Sequence, residues 1–282
     1  MTQIRHMKSL ALLILAVAAL ARGEEKPCPS RIIPFKETPQ GELRLHVFKP
    51  AGTKAKQKRP AIVFFFGGGW NSGSPSQFYP QANHLAELGM VAIAAEYRTK
   101  KQHCTDPRVC VMDAKSAMRW VRENAKRLGV DPKRIAAGGG SAGGHLAAAT
   151  ATLEAFNEPD EDTSVSCVPD ALVLFNPVFD NSPGGFGHDR VKTYWEDFSP
   201  MNHLEKGAPP TIVFLGTKDD LIPVATAKKY KALMEANGDR CDLHLYKNQP
   251  HGFFNAAKYD ETVKEMDAFL ASLGWLKPAK KK

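Results

Sequence analysis

The sequence predicts an α/β fold: a doubly wound, mostly parallel sheet with helices on both faces and a small cap or none. Three observations carry the prediction. Apolar runs of strand length alternate with stretches of helical period, the βαβ pattern of a parallel sheet. One such run ends in Gly138-Gly139-Gly140-Ser141-Ala142-Gly143-Gly144 and passes straight into the helix-forming His145-Leu146-Ala147-Ala148-Ala149. The only lid material is the short, irregular segment 176–203, rich in glycine and aromatics (Phe179, Phe186, Tyr194, Trp195).

Taken in order, residues 43–47 (LRLHV) alternate apolar and polar and read as an edge strand, whereas 61–66 and 91–95 are continuously apolar and read as buried strands. Val111, Ala114, Met118, Val121, Ala125 and Leu128 recur at helical spacing. Later strands fall at 135–137, 171–175, 211–215 and 243–246, and helices at about 224–237 and 259–273.

The turn at Ser141 places one hydroxyl at the tip of a strand-to-helix corner, above the carboxyl edge of the sheet. Such a corner needs residues without bulk at Gly139 and Gly143, where neighbouring backbone approaches. An isolated G-x-S-x-G also occurs as a plain connecting turn, so the rest of the chain decides. A serine is a weak nucleophile and requires a base, a carboxylate that orients the base, and donors for the oxyanion that forms. Asp219 and Asp220 follow the apolar strand 211–215 and a glycine turn, the loop position expected of an orienting acid; either also fits a solvated turn aspartate. Among nine histidines, His251 stands out because it follows the last strand, on a loop marked by Pro250 and Gly252, after both the serine and the carboxylates. His145, at the start of the helix after Ser141, reads as a packing residue. Upstream, strand 61–66 runs into Gly67-Gly68-Gly69-Trp70, whose N–H groups at Gly68 and Gly69 would join that of Ala142 as an oxyanion hole. Neither a phosphate-cradling G-x-x-x-x-G-K-[ST] nor a spaced G-x-G-x-x-G with its acidic partner follows.

The chain resembles the α/β-hydrolases of the carboxylesterase and hormone-sensitive-lipase-like group, and more narrowly exported esterases that act on acetylated or feruloylated polysaccharides. The resemblance rests on Phe66-Gly67-Gly68-Gly69-Trp70, Glu96-Tyr97-Arg98, the stretch 113–122, the stretch 128–135, the turn 139–144, Phe198-Ser199-Pro200, Gly216-Thr217-Lys218-Asp219 and His251-Gly252-Phe253. It implies the α/β-hydrolase fold, a Ser141-His251-Asp219 triad, and Asp219 rather than Asp220 as the acid, since the family places it three residues after the glycine. The implied activity is ester hydrolysis through an acyl-enzyme without cofactor, on an acylated carbohydrate or a small ester. A general short-chain carboxylesterase is the alternative, with an exported serine peptidase or a non-catalytic glycan-binding protein on the same fold behind it. Trp70 and Trp195 are candidate faces for stacking a sugar ring. One departure is that the family commonly carries histidine before the glycine run, where Phe66 stands here.

Composition fits one catalytic domain: 282 residues, 43% hydrophobic and 24% charged, with no repeat or linker. Residues 1–21 read as an export signal, with Arg5 and Lys8 before the apolar stretch 10–20 and small residues at Ala19-Leu20-Ala21. That stretch, about eleven residues, is shorter than the about twenty a bilayer-spanning helix needs, so no stable membrane insertion is expected. The catalytic domain then spans 22–282, in a secreted or periplasmic protein. Five cysteines fit an oxidising compartment, and Cys104 and Cys110, close together in a turn-rich stretch, are the expected disulfide pair. No spacing reads as a metal site. The net charge of +8 draws partly on residues 1–21 and on Lys277, Lys280, Lys281 and Lys282, with no interleaved aromatic stripe, and argues for no nucleic-acid partner.

Overall fold

The computed structural model describes residues 27–52 and 57–277. The proposed signal 1–21 and the last lysines lie outside them. Eight strands form one sheet: β1 (Arg31–Thr38), β2 (Gly41–Phe48), β3 (Arg59–Phe65), β4 (Val91–Ala95), β5 (Val130–Gly140), β6 (Ala171–Phe175), β7 (Thr211–Gly216) and β8 (Cys241–Tyr246), in the spatial order β1-β2-β4-β3-β5-β6-β7-β8. β1 pairs antiparallel with β2, and β2 antiparallel with β4; every other pairing is parallel. The helices are α1 (Tyr79–Glu87), α2 (Lys100–His103), α3 (Pro107–Glu123), α4 (Ala125–Leu128), α5 (Ala142–Thr152), α6 (His188–Val191), α7 (Trp195–Phe198), α8 (Val224–Ala236) and α9 (Tyr259–Ser272).

The continuous apolar character of β3 follows from its place between two helical layers. Val63 and Phe65 point into the core shared with Met118 of α3, Leu146 of α5 and Tyr230 of α8, whereas Ile62 and Phe64 point into the opposite core with Leu85 of α1 and Met266 and Phe269 of α9. A strand buried on both faces has no polar register to alternate with. Each fully buried aromatic of this kind contributes about 1.5–3 kcal/mol through burial of its apolar surface.

The predicted fold class is thus the observed one, with three local differences. Residues 43–47 are not an edge: they lie in β2, flanked by β1 and β4, because β1 (RIIPFKET) adds an outer strand that its charged alternation concealed. The helical period 111–128 is broken at Asn124, whose φ of −91° and ψ of 14° end α3 before α4 begins. Third, α1 went unread because Ser74 and Pro75 announce a turn, although Phe78, Ala82, Leu85 and Ala86 form a buried helical face.

The Arg98 and Asp113 segments of the family resemblance prove to be structural. Arg98 forms a forked pair with the fully buried Asp113 (Nη2 to Oδ1, 2.7 Å), joined by Lys36 from β1 and Glu158. Between β6 and β7 the segment 176–203 contains only α6, α7 and a 3-10 turn, and it lies along one wall of the cleft above Ser141 instead of forming a large cap.

The expected Cys104–Cys110 disulfide is absent, and all five cysteines are free thiols. Cys104 ends α2 in a left-handed conformation and lines the cleft, while Cys110 sits on the inward face of α3 and donates its thiol to the Arg98 carbonyl at 3.1 Å. Closeness in sequence did not bring the two sulfurs together, because the helix turns one of them into the core. Burial pushes the Cys110 thiol well above its usual range, so it behaves as a packed apolar group.

Candidate active site

β5 brings the chain up through the middle of the sheet and α5 takes it away again, so the residue between them must reverse direction at once. Ser141 does so at φ 55° and ψ −120°, a conformation that costs a non-glycine residue about 1–3 kcal/mol. Its N–H donates to the Phe175 carbonyl of β6 at 2.9 Å, which holds the corner. The flanking glycines are required by contact: a Cβ on Gly143 would lie 2.0 Å from the Phe65 carbonyl oxygen, and one on Gly139 2.4 Å from that of Gly143.

The loops after β7 and β8 meet beside this corner. Lys218 N–H donates to the Gln249 carbonyl (3.0 Å) and Asn248 N–H to the Thr217 hydroxyl (2.9 Å), so the two loops are tied together. They carry Asp219 and His251. His251 Nε2 lies 2.9 Å from Ser141 Oγ, and Nδ1 lies 2.8 Å from Asp219 Oδ2. Asp219 Oδ1 accepts from the N–H groups of Leu221 and Ile222, both at 2.9 Å, and its carboxylate has no exposed side-chain surface. Asp220, by contrast, is exposed. The geometry therefore selects Asp219 from the two carboxylates.

Asn176, which the sequence reading passed over, is the fourth member of the group. It directly follows β6, is fully buried, and holds φ at 36°. Its Oδ1 accepts from Gly252 N–H (3.2 Å) and its Nδ2 donates to His251 Nε2 (3.3 Å). An Nε2 that accepts from both Asn176 and Ser141 carries no proton, which leaves the imidazole proton on Nδ1 for Asp219. The position was legible in principle: an asparagine at the carboxyl end of a central apolar strand stands where such sheets place their sites.

Gly68 and Gly69 lie across the cleft from the corner with φ of 131° and 61°, and neither N–H donates to a protein group among the described residues. Ala142, the first residue of α5, has no intrahelical acceptor for its N–H. Phe66, in the place of the customary histidine, stacks on Tyr97 (ring centroids 4.0 Å apart), whose hydroxyl donates to the Phe66 carbonyl at 2.8 Å. Gln77 Oε1 accepts from Gly67 N–H at 2.6 Å.

The cleft has a volume of about 1140 Å³ and is walled by the glycine loop, Gln77, Phe186, Arg190 and Leu221 around Ser141 and His251. The two tryptophans do not serve as sugar platforms. Trp70 is 1% exposed, its ring enclosed by His145, Phe186 and Phe198; Trp195 stands away from the cleft, beside His188. Phe186, half-buried against Trp70, is the most exposed aromatic of the cleft wall, which Trp70 and Phe254 also line. His145 packs as expected: it is fully buried, Nε2 contacts the Phe198 carbonyl at 2.8 Å, and burial pushes its pKa down to about 4. Among the described residues no group of three or more His, Cys, Asp or Glu is placed to hold a metal.

Comparison with known proteins agrees with this geometry. The family described as BD-FAE matches residues 45–180, and the dienelactone hydrolase family matches 186–280. Esterase LipQ of Mycobacterium tuberculosis is 30% identical over 77% of this chain and 55% of its own length, and the acetylxylan esterase of Xylanibacter ruminicola is 26% identical over 97% of this chain and 55% of its own length. The chain thus spans about half the length of these curated relatives. A thermophilic esterase from Thermogutta terrifontis superposes with a TM-score of 0.84 at 42% identity, covering 89% of this chain and 95% of that one; a form of it phosphorylated by paraoxon gives 0.85 at 43%, covering 90% and 98%. An esterase of known structure that aligns along nearly its whole length at such identity leaves one assignment: the chain belongs to the esterase family of the α/β-hydrolases.

Proposed function

We propose that the protein is a serine carboxylic ester hydrolase, with acetyl or feruloyl groups on carbohydrates as its substrates. The observation that carries the hydrolase reading is the continuous relay from Ser141 Oγ through His251 to Asp219, at 2.9 and 2.8 Å, on a strained corner that faces a cleft. His251 Nε2 takes the Ser141 proton as Oγ attacks the ester carbonyl, and Asp219 stabilises the imidazolium through Nδ1–H. The carbonyl oxygen, now an anion, is held by the N–H groups of Gly68, Gly69 and Ala142, each such donor being worth about 10²–10³ in rate. His251 returns the proton to the departing alcohol, and water, activated by the same nitrogen, releases the acid. Hydrolysis of this kind balances without a cofactor.

Two observations support the carbohydrate part: the relative named acetylxylan esterase, which this chain matches over 97% of its own length, and a cleft not roofed by a large cap. A general short-chain carboxylesterase is the second reading, favoured by the Thermogutta esterase structures described with bound propionate and butyrate. Export to the periplasm or medium, proposed from residues 1–21, fits action on a polymer outside the cell. The deciding experiment measures acetate and ferulate release from acetylated xylan and feruloylated arabinoxylan, with p-nitrophenyl acetate and butyrate alongside. Release from polymer supports the first reading and turnover of the small esters alone the second. Failure of wild type on all of them, with no fluorophosphonate labelling that Ser141→Ala abolishes, removes the hydrolase assignment.

A further inference from the structure

Gly68, Gly69 and Trp70 are three successive residues with positive φ (131°, 61° and 57°), so the glycine loop is held against its local preference. What holds it differs along its length. The Gly68 carbonyl accepts from the N–H groups of Asn71 (3.0 Å) and Ser72 (3.2 Å). Because a peptide unit is planar and trans, fixing that carbonyl also fixes the Gly69 N–H on its other side. The next peptide unit is anchored from elsewhere: the Gly69 carbonyl accepts from Arg190 Nη1 at 2.5 Å, and Arg190 belongs to α6, in the segment between β6 and β7. Gly69 is thereby clamped between two fixed peptide planes, one tied within the loop and one tied to the wall opposite.

We infer that Arg190 is a positioning residue for the oxyanion loop, coupling the segment 176–203 to the catalytic step. This rests on the hydrolase reading above. Three features fit a clamp better than a substrate contact or a stability element. The guanidinium is spent on a backbone carbonyl, and its carbon lies 5.8 Å over the Phe186 ring, so it is held from two sides. Arg190 makes no ion pair among the described residues, which leaves its charge directed at the loop. It is also exposed, so its removal leaves the core intact. Gly69 has just the space the clamp needs: a Cβ there would meet Arg190 Nη1 at 3.0 Å. The device makes the hole complete only while the segment that walls the cleft is docked.

The test is steady-state kinetics of Arg190→Ala and Arg190→Lys on p-nitrophenyl acetate, with thermal unfolding as a folding check. A misaimed donor, not a missing one, loses part of the about 10²–10³ that one donor is worth, so kcat of R190A falls about tenfold while KM changes less than about threefold. R190K, which keeps a cationic donor, falls less. Guanidinium chloride well below denaturing concentration restores part of the R190A rate and leaves wild type unstimulated. A kcat for R190A within about twofold of wild type, a loss confined to KM, or a loss that neither lysine nor guanidinium relieves overturns the inference. The wild type separates the two hypotheses: no turnover of any ester tested and no Ser141-dependent fluorophosphonate labelling sinks the hydrolase reading, whereas normal wild type with an unaffected R190A sinks only the clamp.

Discussion

Replacing His145 by glutamine should remove the acid sensitivity that this one buried ring confers on the fold between pH 6.5 and 4. His145 is wholly buried on α5, between the Trp70 ring at 5.1 Å and the Phe198 ring at 4.2 Å, and its Nδ1 has no partner. Desolvation is the largest influence and lowers its pKa from 6.5 to about 4, with the bond to the Phe198 carbonyl opposing weakly. The sign follows from proton counting. Above pH 6.5 the ring is neutral folded or unfolded and costs nothing. Below it the unfolded chain takes up a proton that the folded chain refuses, so stability is lost as pH falls, until the folded ring also protonates near 4. With those two pKa values the loss is about 1.4 kcal/mol at pH 5.5 and about 3 kcal/mol at pH 4. Glutamine keeps a donor in reach of the Phe198 carbonyl and does not titrate. Urea unfolding of both proteins at pH 7.5, 5.5 and 4.5 checks this: the stability difference between wild type and H145Q should shift in favour of the variant by about 1.4 kcal/mol from pH 7.5 to 5.5. Parallel pH profiles for the two proteins would refute the reasoning, because nothing else in the substitution titrates there.

The remaining predictions concern the site. Asp219→Asn should lower kcat by about 10⁴ by disfavouring the Nδ1–H tautomer of His251, whereas Asp220→Asn should stay within about twofold, and steady-state kinetics on p-nitrophenyl acetate distinguishes them. Asn176→Ala should reduce kcat about tenfold and lower stability by about 1 kcal/mol, since it frees the half-buried Gly252 N–H and the His251 loop; kinetics with urea unfolding reads both. Gly143→Ala should fail to accumulate as folded protein, because the new methyl group would sit 2.0 Å from the Phe65 carbonyl; a soluble G143A with wild-type far-UV circular dichroism would contradict that contact.

Which parts of the molecule could be read from the sequence follows from the range of the signals. The parallel core was legible because buried strands and amphipathic helices announce themselves within a few residues. Ser141 and His251 were legible because sharp turns at sheet ends demand glycine and proline around them. Asp219 was chosen over Asp220 by resemblance alone; only the fold makes the difference physical, by burying one carboxylate against His251 and leaving the other in water. What failed were readings that depend on side-chain direction. Cys104 and Cys110 are near in sequence yet face a cleft and a core, and Trp70 looked like an exposed platform until its ring proved to be enclosed. Asn176 and Arg190 gave no local signal, because each acts on a loop far from it in sequence.

The substitution of Phe66 for the usual histidine shows how an oxyanion loop can be braced without that residue. A histidine before the glycines would hold the loop through ring hydrogen bonds, which phenylalanine lacks. Here the Phe66 ring instead lies parallel to Tyr97 at 15°, and the Tyr97 hydroxyl reaches back to the Phe66 carbonyl, so one aromatic partner fixes both side chain and backbone. The next N–H, that of Gly67, is taken by Gln77, and the far end of the loop by Arg190. Burial pushes the Tyr97 hydroxyl well above its ordinary pKa, so it stays a donor at neutral and acid pH. The loop is therefore held by groups whose charge does not change there: a neutral phenol, an amide and a guanidinium. The brace should thus add no pH dependence of its own, and Tyr97→Phe should cost rate without moving the pH profile.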